Sequence, residues 1–254
     1  MIPGSKPRRR GISKNGRCPQ LLILKAGNLY FFSMKHIYCI SGFGADERLF
    51  KKMAFPRHEF HFIKWITPDK NESIESYAGK LIKQITHENP ILMGLSFGGI
   101  MCTEIAAQLP VELIILISSV KHETEMPFWM HLSGRLKLNK FLPMRPFKII
   151  EPLEDYNLGV ETPEERELVH AYRKNLDLVY SDWAINAILH WKAKPKHKNL
   201  FHIHGDNDRI FRFKKISADY TVKGGGHLMI LNKSEEVNER IRDILAKNMA
   251  LNPE

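Results

Sequence analysis

Three short stretches of this chain carry residue types suited to nucleophilic catalysis. Gly94-Leu95-Ser96-Phe97-Gly98 holds a serine two residues from a glycine on either side. His204-Gly205-Asp206-Asn207-Asp208 offers carboxylates, and Gly224-Gly225-Gly226-His227 ends on an imidazole. A serine hydroxyl is a poor nucleophile at neutral pH and needs a neighbouring base to take its proton. A histidine in that role needs a carboxylate that fixes its tautomer and stabilises its charged form. Serine, acid and histidine also follow one of the chain orders in which such triads occur. On residue types alone the acid stays open between Asp208 and Asp206, with Glu123 and Glu125 as further candidates. His227 is one of twelve histidines, set apart by the three glycines before it. His204 precedes the turn that carries the acid and reads as part of that loop's structure.

These residues need elements that bring them together. Pro90–Met93 reads as a buried strand and Ile100–Ala107 as a helix, which places Ser96 on the sharp turn between them. Such a turn needs glycine neighbours, because the following helix packs closely over the residues two before and two after the serine. Strand-like runs recur at 36–41, 59–66, 90–95, 111–117, 198–204 and 217–222. With helical patterns between several of them, this is the alternation of an α/β fold: a mostly parallel sheet of about six strands flanked by helices. All three stretches follow apolar runs, so such a sheet would gather them along one edge. The clearest helix covers 73–86, with Ile74, Tyr77, Ala78, Leu81, Ile82 and Ile85 on one face. Ser234 is placed to cap a last helix that turns Val237, Ile241, Ile244 and Leu245 inward. Residues 121–192 break the alternation and read as helices. Thr162-Pro163-Glu164-Glu165 is a helix start, and Ser181 is expected to cap a second helix bearing Trp183, Ala184, Ala187, Ile188 and Trp191.

From about residue 35 to its end, the chain resembles the α/β-hydrolase superfamily. The H-G-x-x-D pattern of that family maps its acid onto Asp208, and its histidine onto His227. Ser41-Gly42-Phe43-Gly44 resembles the family's H-G-x-G oxyanion loop, with Ser41 in place of the histidine. That likeness makes the backbone N–H groups of Phe43 and Phe97 the expected oxyanion hole. It also implies that residues 121–192 form a helical cap over Ser96, excluding water and governing substrate choice. The implied activity is hydrolysis of a small carboxylic ester through an acyl-enzyme; thioester, amide and carbon–carbon bond cleavage stay open. The resemblance implies no cofactor and no metal, and the sequence displays no ligand cluster for either. Two features depart from the family. Only 19 positions separate Asp208 from His227, which leaves room for a crossover of one short helical turn. The two antiparallel strands that often open this fold have no counterpart, so the sheet is expected to start at residue 36.

Composition bounds the alternatives. A chain of 254 residues, 43% hydrophobic, supports one sizeable core. No apolar run reaches the roughly 20 residues that span a membrane. Cys18, Cys39 and Cys102 form no spacing motif, and two fall in core elements, as thiols of a reduced, cytoplasmic compartment would. The net charge of +10 owes +7 to residues 1–33, which hold seven basic residues and no acid. This basic extension reads as disordered, or as a mis-assigned start with translation beginning at Met34. Lys25 interrupts its apolar stretch, against a secretion signal. A nucleic-acid or membrane arm is the rival reading of the tail; the reading adopted has neither nucleic acid nor stable membrane insertion, and a small acyl compound as partner. Oligomeric state is silent. A catalytically silent scaffold that binds a ligand or partner is the rival reading of the fold. Within 121–192, Met126, Phe128, Trp129 and Met130 offer a pocket lining or plain packing. Arg135–Lys148, with five basic residues and no acid, offers an anion-attracting face or a solvated one.

Overall fold

A computed structural model of the chain describes residues 21–25, 28–32, 34–135 and 151–251. Its strands are β1 (Leu21–Lys25), β2 (Asn28–Phe32), β3 (Lys35–Ile40), β4 (His58–Ile63), β5 (Ile91–Leu95), β6 (Leu113–Ile117), β7 (Leu200–Gly205) and β8 (Tyr220–Val222). Helices are α1 (Ile74–Ile82), α2 (Phe97–Ala106), α3 (Phe128–Arg135), α4 (Glu151–Leu158), α5 (Pro163–Lys174), α6 (Leu178–His190), α7 (Met229–Asn232) and α8 (Ser234–Leu251).

Six strands, β3 to β8, form one sheet in the order β4-β3-β5-β6-β7-β8, and every neighbouring pair is parallel. The six sequence-predicted strands are these six. A separate antiparallel hairpin joins β1 and β2, where the sequence reading expected no strands and a disordered or untranslated extension. Alternating polar residues do not mark these two segments; both are largely apolar runs, with Lys25 and Asn28 paired at their facing ends. The rest of the basic extension, residues 1–20, lies outside the described residues.

A sheet covered on both faces needs strands that are apolar on both, and β5 and β6 are buried at every position. The pleat sends alternate residues to opposite sides. Ile37, Cys39, Met93, Ile115 and Ile117 enter one core with Val237, Ile241, Ile244 and Leu245 of α8. Tyr38, Ile40, Leu92, Ile114 and Leu116 enter the other with Tyr77, Ala78 and Leu81 of α1 and Ile100, Met101 and Ile105 of α2. Among the described residues, no helix is long and apolar enough to cross a membrane.

Local signals set most helix ends. Ser73 caps α1 by accepting from Ser76 N, and the expected helix to residue 86 stops at Ile82 because its last turn tightens: Gln84 N donates to Leu81 O and Ile85 N to Ile82 O. Thr162 and Glu165 form the reciprocal capping box of α5, with Pro163 at its first turn. Helix α6 differs from expectation. Asp177 caps it, accepting from Val179 N and Tyr180 N, and Ser181 is buried inside the helix. A carboxylate one turn earlier satisfies two orphan N–H groups and meets the positive end of the helix, which a serine does less well. The β7–β8 crossover contains one short 3₁₀ turn, Phe213–Lys215, as its length requires.

Helix α2 packs unusually close to the strands. A methyl group added at Gly98 would collide with the carbonyl oxygens of Ile40 and Ser41, and one added at Gly94 with the backbone of Gly98. Gly98→Ala should therefore lower stability by about 2–3 kcal/mol, seen as a lower urea midpoint with an unchanged denaturant slope.

Candidate active site

Ser96 is the residue between β5 and α2, and its backbone is held at φ 53° and ψ −120°. For a residue with a β-carbon this is a strained conformation, costing about 1–3 kcal/mol, that persists only where the surroundings enforce it. Here they do. Ser96 N donates to Ile117 O at 2.9 Å, while Ser96 O accepts from Gly99 N at 2.9 Å and from the Ser119 hydroxyl at 2.7 Å. Ser119 is fully buried and sits where a side chain on Gly99 would have to go. Sequence reasoning missed it; the signal available was a polar pair, Ser118-Ser119, directly after a wholly apolar strand.

His227 reaches Ser96 across the sheet edge, its Nε2 lying 2.9 Å from Ser96 Oγ. Its Nδ1 lies 2.8 Å from Asp208 Oδ2. An ionised carboxylate only accepts, so His227 Nδ1–H donates to Asp208, and Nε2 is left to accept from the Ser96 hydroxyl. Asp208 Oδ1 accepts from Ile210 N at 2.8 Å and Phe211 N at 2.9 Å, so the carboxylate has three donors. Burial is the largest single effect and opposes its charge, but His227, His204 and the Phe211 N–H together outweigh it and hold the carboxyl below its ordinary value.

The rival acids have other partners. Asp206 Oδ1 accepts from Gly224 N at 2.6 Å, and Asn207 N donates to Gly225 O at 3.0 Å, so the acid and histidine loops are sewn together. Glu125 accepts from Lys121 N and Ser217 N, and Glu123 from Ala193 N. His204 is buried with Nε2 2.8 Å from Phe211 O and Nδ1 3.2 Å from His202 Nε2. Burial, against the pull of Asp208, pushes its pKa down. A neutral His204 donating to Phe211 O steadies the residue whose N–H holds Asp208.

The loop after β3 lies beside the serine: a β-carbon on Gly42 would stand 3.6 Å from Ser96 Cβ. Ser41 closes this loop, donating to Ala45 O at 2.6 Å and accepting from Trp65 Nε1 at 3.0 Å. Phe97 opens α2, so its N–H has no intrahelical acceptor, and Phe43 N makes no backbone hydrogen bond among the described residues. Trp65 stacks on Phe97 with centroids 5.2 Å apart, and Phe43 on Tyr180 of α6 at 5.9 Å.

Residues 121–192 contribute α3 to α6, and residues 136–150, with most of the basic stretch from Arg135, lie outside the described residues. The apolar cluster at the start of this segment does not share one environment. Met126 belongs to the core at 1% exposure, whereas Phe128 and Trp129 are 70% and 59% exposed. The end of α4 is fastened to the loops that carry Asp208 and His227: Leu228 N donates to Leu158 O, Asn232 Nδ2 to Gly159 O and Arg209 Nη1 to Tyr156 O. A cavity of about 770 Å³ over α4 and α5, with Tyr156, Arg166 and Arg173 in its walls, includes none of Ser96, Asp208 and His227. Against the expectation of no metal-ligand cluster, His36, His61 and His87 come together far from one another in sequence.

No family model matches the chain, and no curated relative matches it. Solved structures do. A thermophilic esterase from Thermogutta terrifontis superposes with a TM-score of 0.65 at 15% identity, over 91% of this chain and 99% of that one. An α/β-hydrolase fold protein from Burkholderia ambifaria gives 0.62 at 12% identity, over 87% and 96%. The enol-lactonase from Burkholderia xenovorans LB400 gives 0.59 at 15%, over 85% and 92%. The six-stranded parallel sheet and these likenesses define the fold: the chain is an α/β-hydrolase-fold protein.

The depressed Asp208 carboxyl carries a sign for acid stability. Between its folded value and its higher unfolded one, the unfolded chain binds more protons, so the stabilisation is complete above about pH 4 and is lost as pH falls through the folded value. Urea midpoints taken from about pH 5 down to about pH 2.5 should fall more steeply for the wild type than for Asp208→Asn; equal slopes would mean the carboxyl is not held low.

Proposed function

We propose that the protein is a serine hydrolase of small carboxylic esters, working through an acyl-enzyme. The observation that carries this is the unbroken chain of hydrogen-bonding contacts Ser96 Oγ, His227 Nε2, His227 Nδ1 and Asp208 Oδ2. In this reading His227 takes the hydroxyl proton as Ser96 Oγ attacks the ester carbonyl carbon. Asp208 keeps the imidazole in the required tautomer and stabilises its cation. The carbonyl oxygen gains negative charge, and the N–H groups of Phe43 and Phe97 donate to it. Collapse of the tetrahedral intermediate expels the alcohol, which receives the proton from His227. Water, deprotonated by His227, attacks the acyl-enzyme and releases the acid and free Ser96. Every step is proton and acyl transfer, and none calls for a cofactor.

The esterase and the enol-lactonase among the similar structures support a carboxylic ester as the substrate class, since a lactone is a cyclic ester. The stretch 121–192 is the proposed cap, with α6 delivering Tyr180 to the wall next to Phe43. Cys39 and Cys102 are buried free thiols, which fits a cytoplasmic setting.

A fluorophosphonate probe should label the purified protein and should not label Ser96→Ala. With a short-chain aryl ester, Ser96→Ala and His227→Ala should each lower kcat by about 10⁵–10⁶, and Asp208→Ala by about 10⁴. Asp206→Asn should stay within about threefold of the wild type. Folded protein that neither labels nor turns over the ester would favour a silent scaffold instead.

A further inference from the structure

At the opposite edge of the sheet from Ser96, a second group of side chains converges. The parallel register sets His36 of β3 against Glu59 of β4, and Tyr38 against His61. Residues two apart on a strand share a face, so His36, Tyr38, Glu59 and His61 all lie on the α1 side of the sheet. His87, in the loop that follows α1, stacks on His36 with ring centroids 3.4 Å apart and planes within 9°. One ligand nitrogen from each histidine can be chosen so that all three lie within 4.8 Å of one another.

Three imidazoles converge here, and because a metal lies in the plane of each imidazole that binds it, a shared cation requires the His87 ring to turn out of its stack on His36. His36 Nδ1 and His61 Nε2 are 3.0 Å apart. Zinc bonded to nitrogen at about 2.0–2.1 Å in a tetrahedron separates its ligand atoms by about 3.3 Å, so this pair already has nearly the required spacing. His87 has an outer partner of the kind that orients ligating histidines: its Nδ1 lies 2.7 Å from the Tyr38 hydroxyl, which accepts from Thr86 N at 3.0 Å. With Nδ1–H donating to Tyr38, Nε2 is the free ligand atom. Glu59 Oε2 lies 3.6 Å from His36 Nδ1 and supplies negative charge beside the cluster.

We propose that His36, His61 and His87 bind a first-row divalent transition-metal ion, zinc being the fitting choice for three imidazoles, with the Glu59 carboxylate beside the site as an outer partner. The ion clips the edge strand β4 and the loop after α1 to β3. It stabilises the native chain by mass action and takes no part in the chemistry at Ser96.

The test uses full-length protein stripped with a chelator and titrated with Co²⁺, then Zn²⁺. The expected result is one Co²⁺ per chain with the intense visible absorption of a tetrahedral site, bleached by Zn²⁺, and a Tm that rises with Zn²⁺. Outer partners alone are worth about 10–100-fold in affinity; H61N and H87N, which remove ligands, should each lose at least about 100-fold, and E59Q about tenfold. S96A should bind as the wild type does. His87 lies in a loop, so H87N reads the site even if H61N disturbs the edge strand. Folded wild type that binds neither ion below millimolar concentration overturns the proposal, as does binding that H87N leaves unchanged.

Discussion

The close approach of α2 to the ends of β3 and β5 is the constraint on which the rest of the site depends. A helix can come this near a strand end only where no β-carbon intervenes, and Gly94 and Gly98 remove two of them. The gap left for the connecting residue is too short for an ordinary turn, and Ser96 is driven to positive φ. Its amide is then claimed by β6 and its carbonyl by Ser119, so the distortion is shared by the sheet rather than borne locally. The serine side chain stands clear of both strand and helix because its backbone has nowhere else to go.

The partners of Ser96 are held by a different device. The loops after β7 and β8 bond to each other: the Asp206 carboxylate accepts from Gly224 N, and Asn207 N donates to Gly225 O. Asp208 and His227 thereby keep their spacing without relying on long, flexible side chains. Their burial has an electrostatic side as well. A buried carboxylate is tolerable here because three donors point at it.

Much of this was legible in the sequence, for reasons that can be named. The central strands of the main sheet announce themselves because strands buried on both faces are near-continuous apolar runs, Leu113–Ile117 above all. The geometry at Ser96 follows from glycine spacing, which is local, and the capping box of α5 is a pattern four residues long. What stayed hidden was either non-local or ambiguous on local grounds. Residue types alone left Asp206, Asp208 and the two glutamates open, and only the H-G-x-x-D likeness pointed to Asp208. Ser181 and Asp177 are both good capping residues, and only the packing of α6 distinguishes them. The hairpin of β1 and β2 was obscured by the basic residues around it. His36, His61 and His87 are brought together by strand register and a loop, so no motif connects them.

The segment 121–192 is tied into the loops beside Ser96 rather than lying apart from them. The loop bearing His227 takes one of its backbone bonds from Leu158, and Asn232 just beyond it holds Gly159. Gly159 and Gly226 face each other so closely that a β-carbon on the first would stand 3.2 Å from the α-carbon of the second. Residues 158–159 thus serve as a clasp on the loop that carries His227, and removing them would take away two of the hydrogen bonds that seat it.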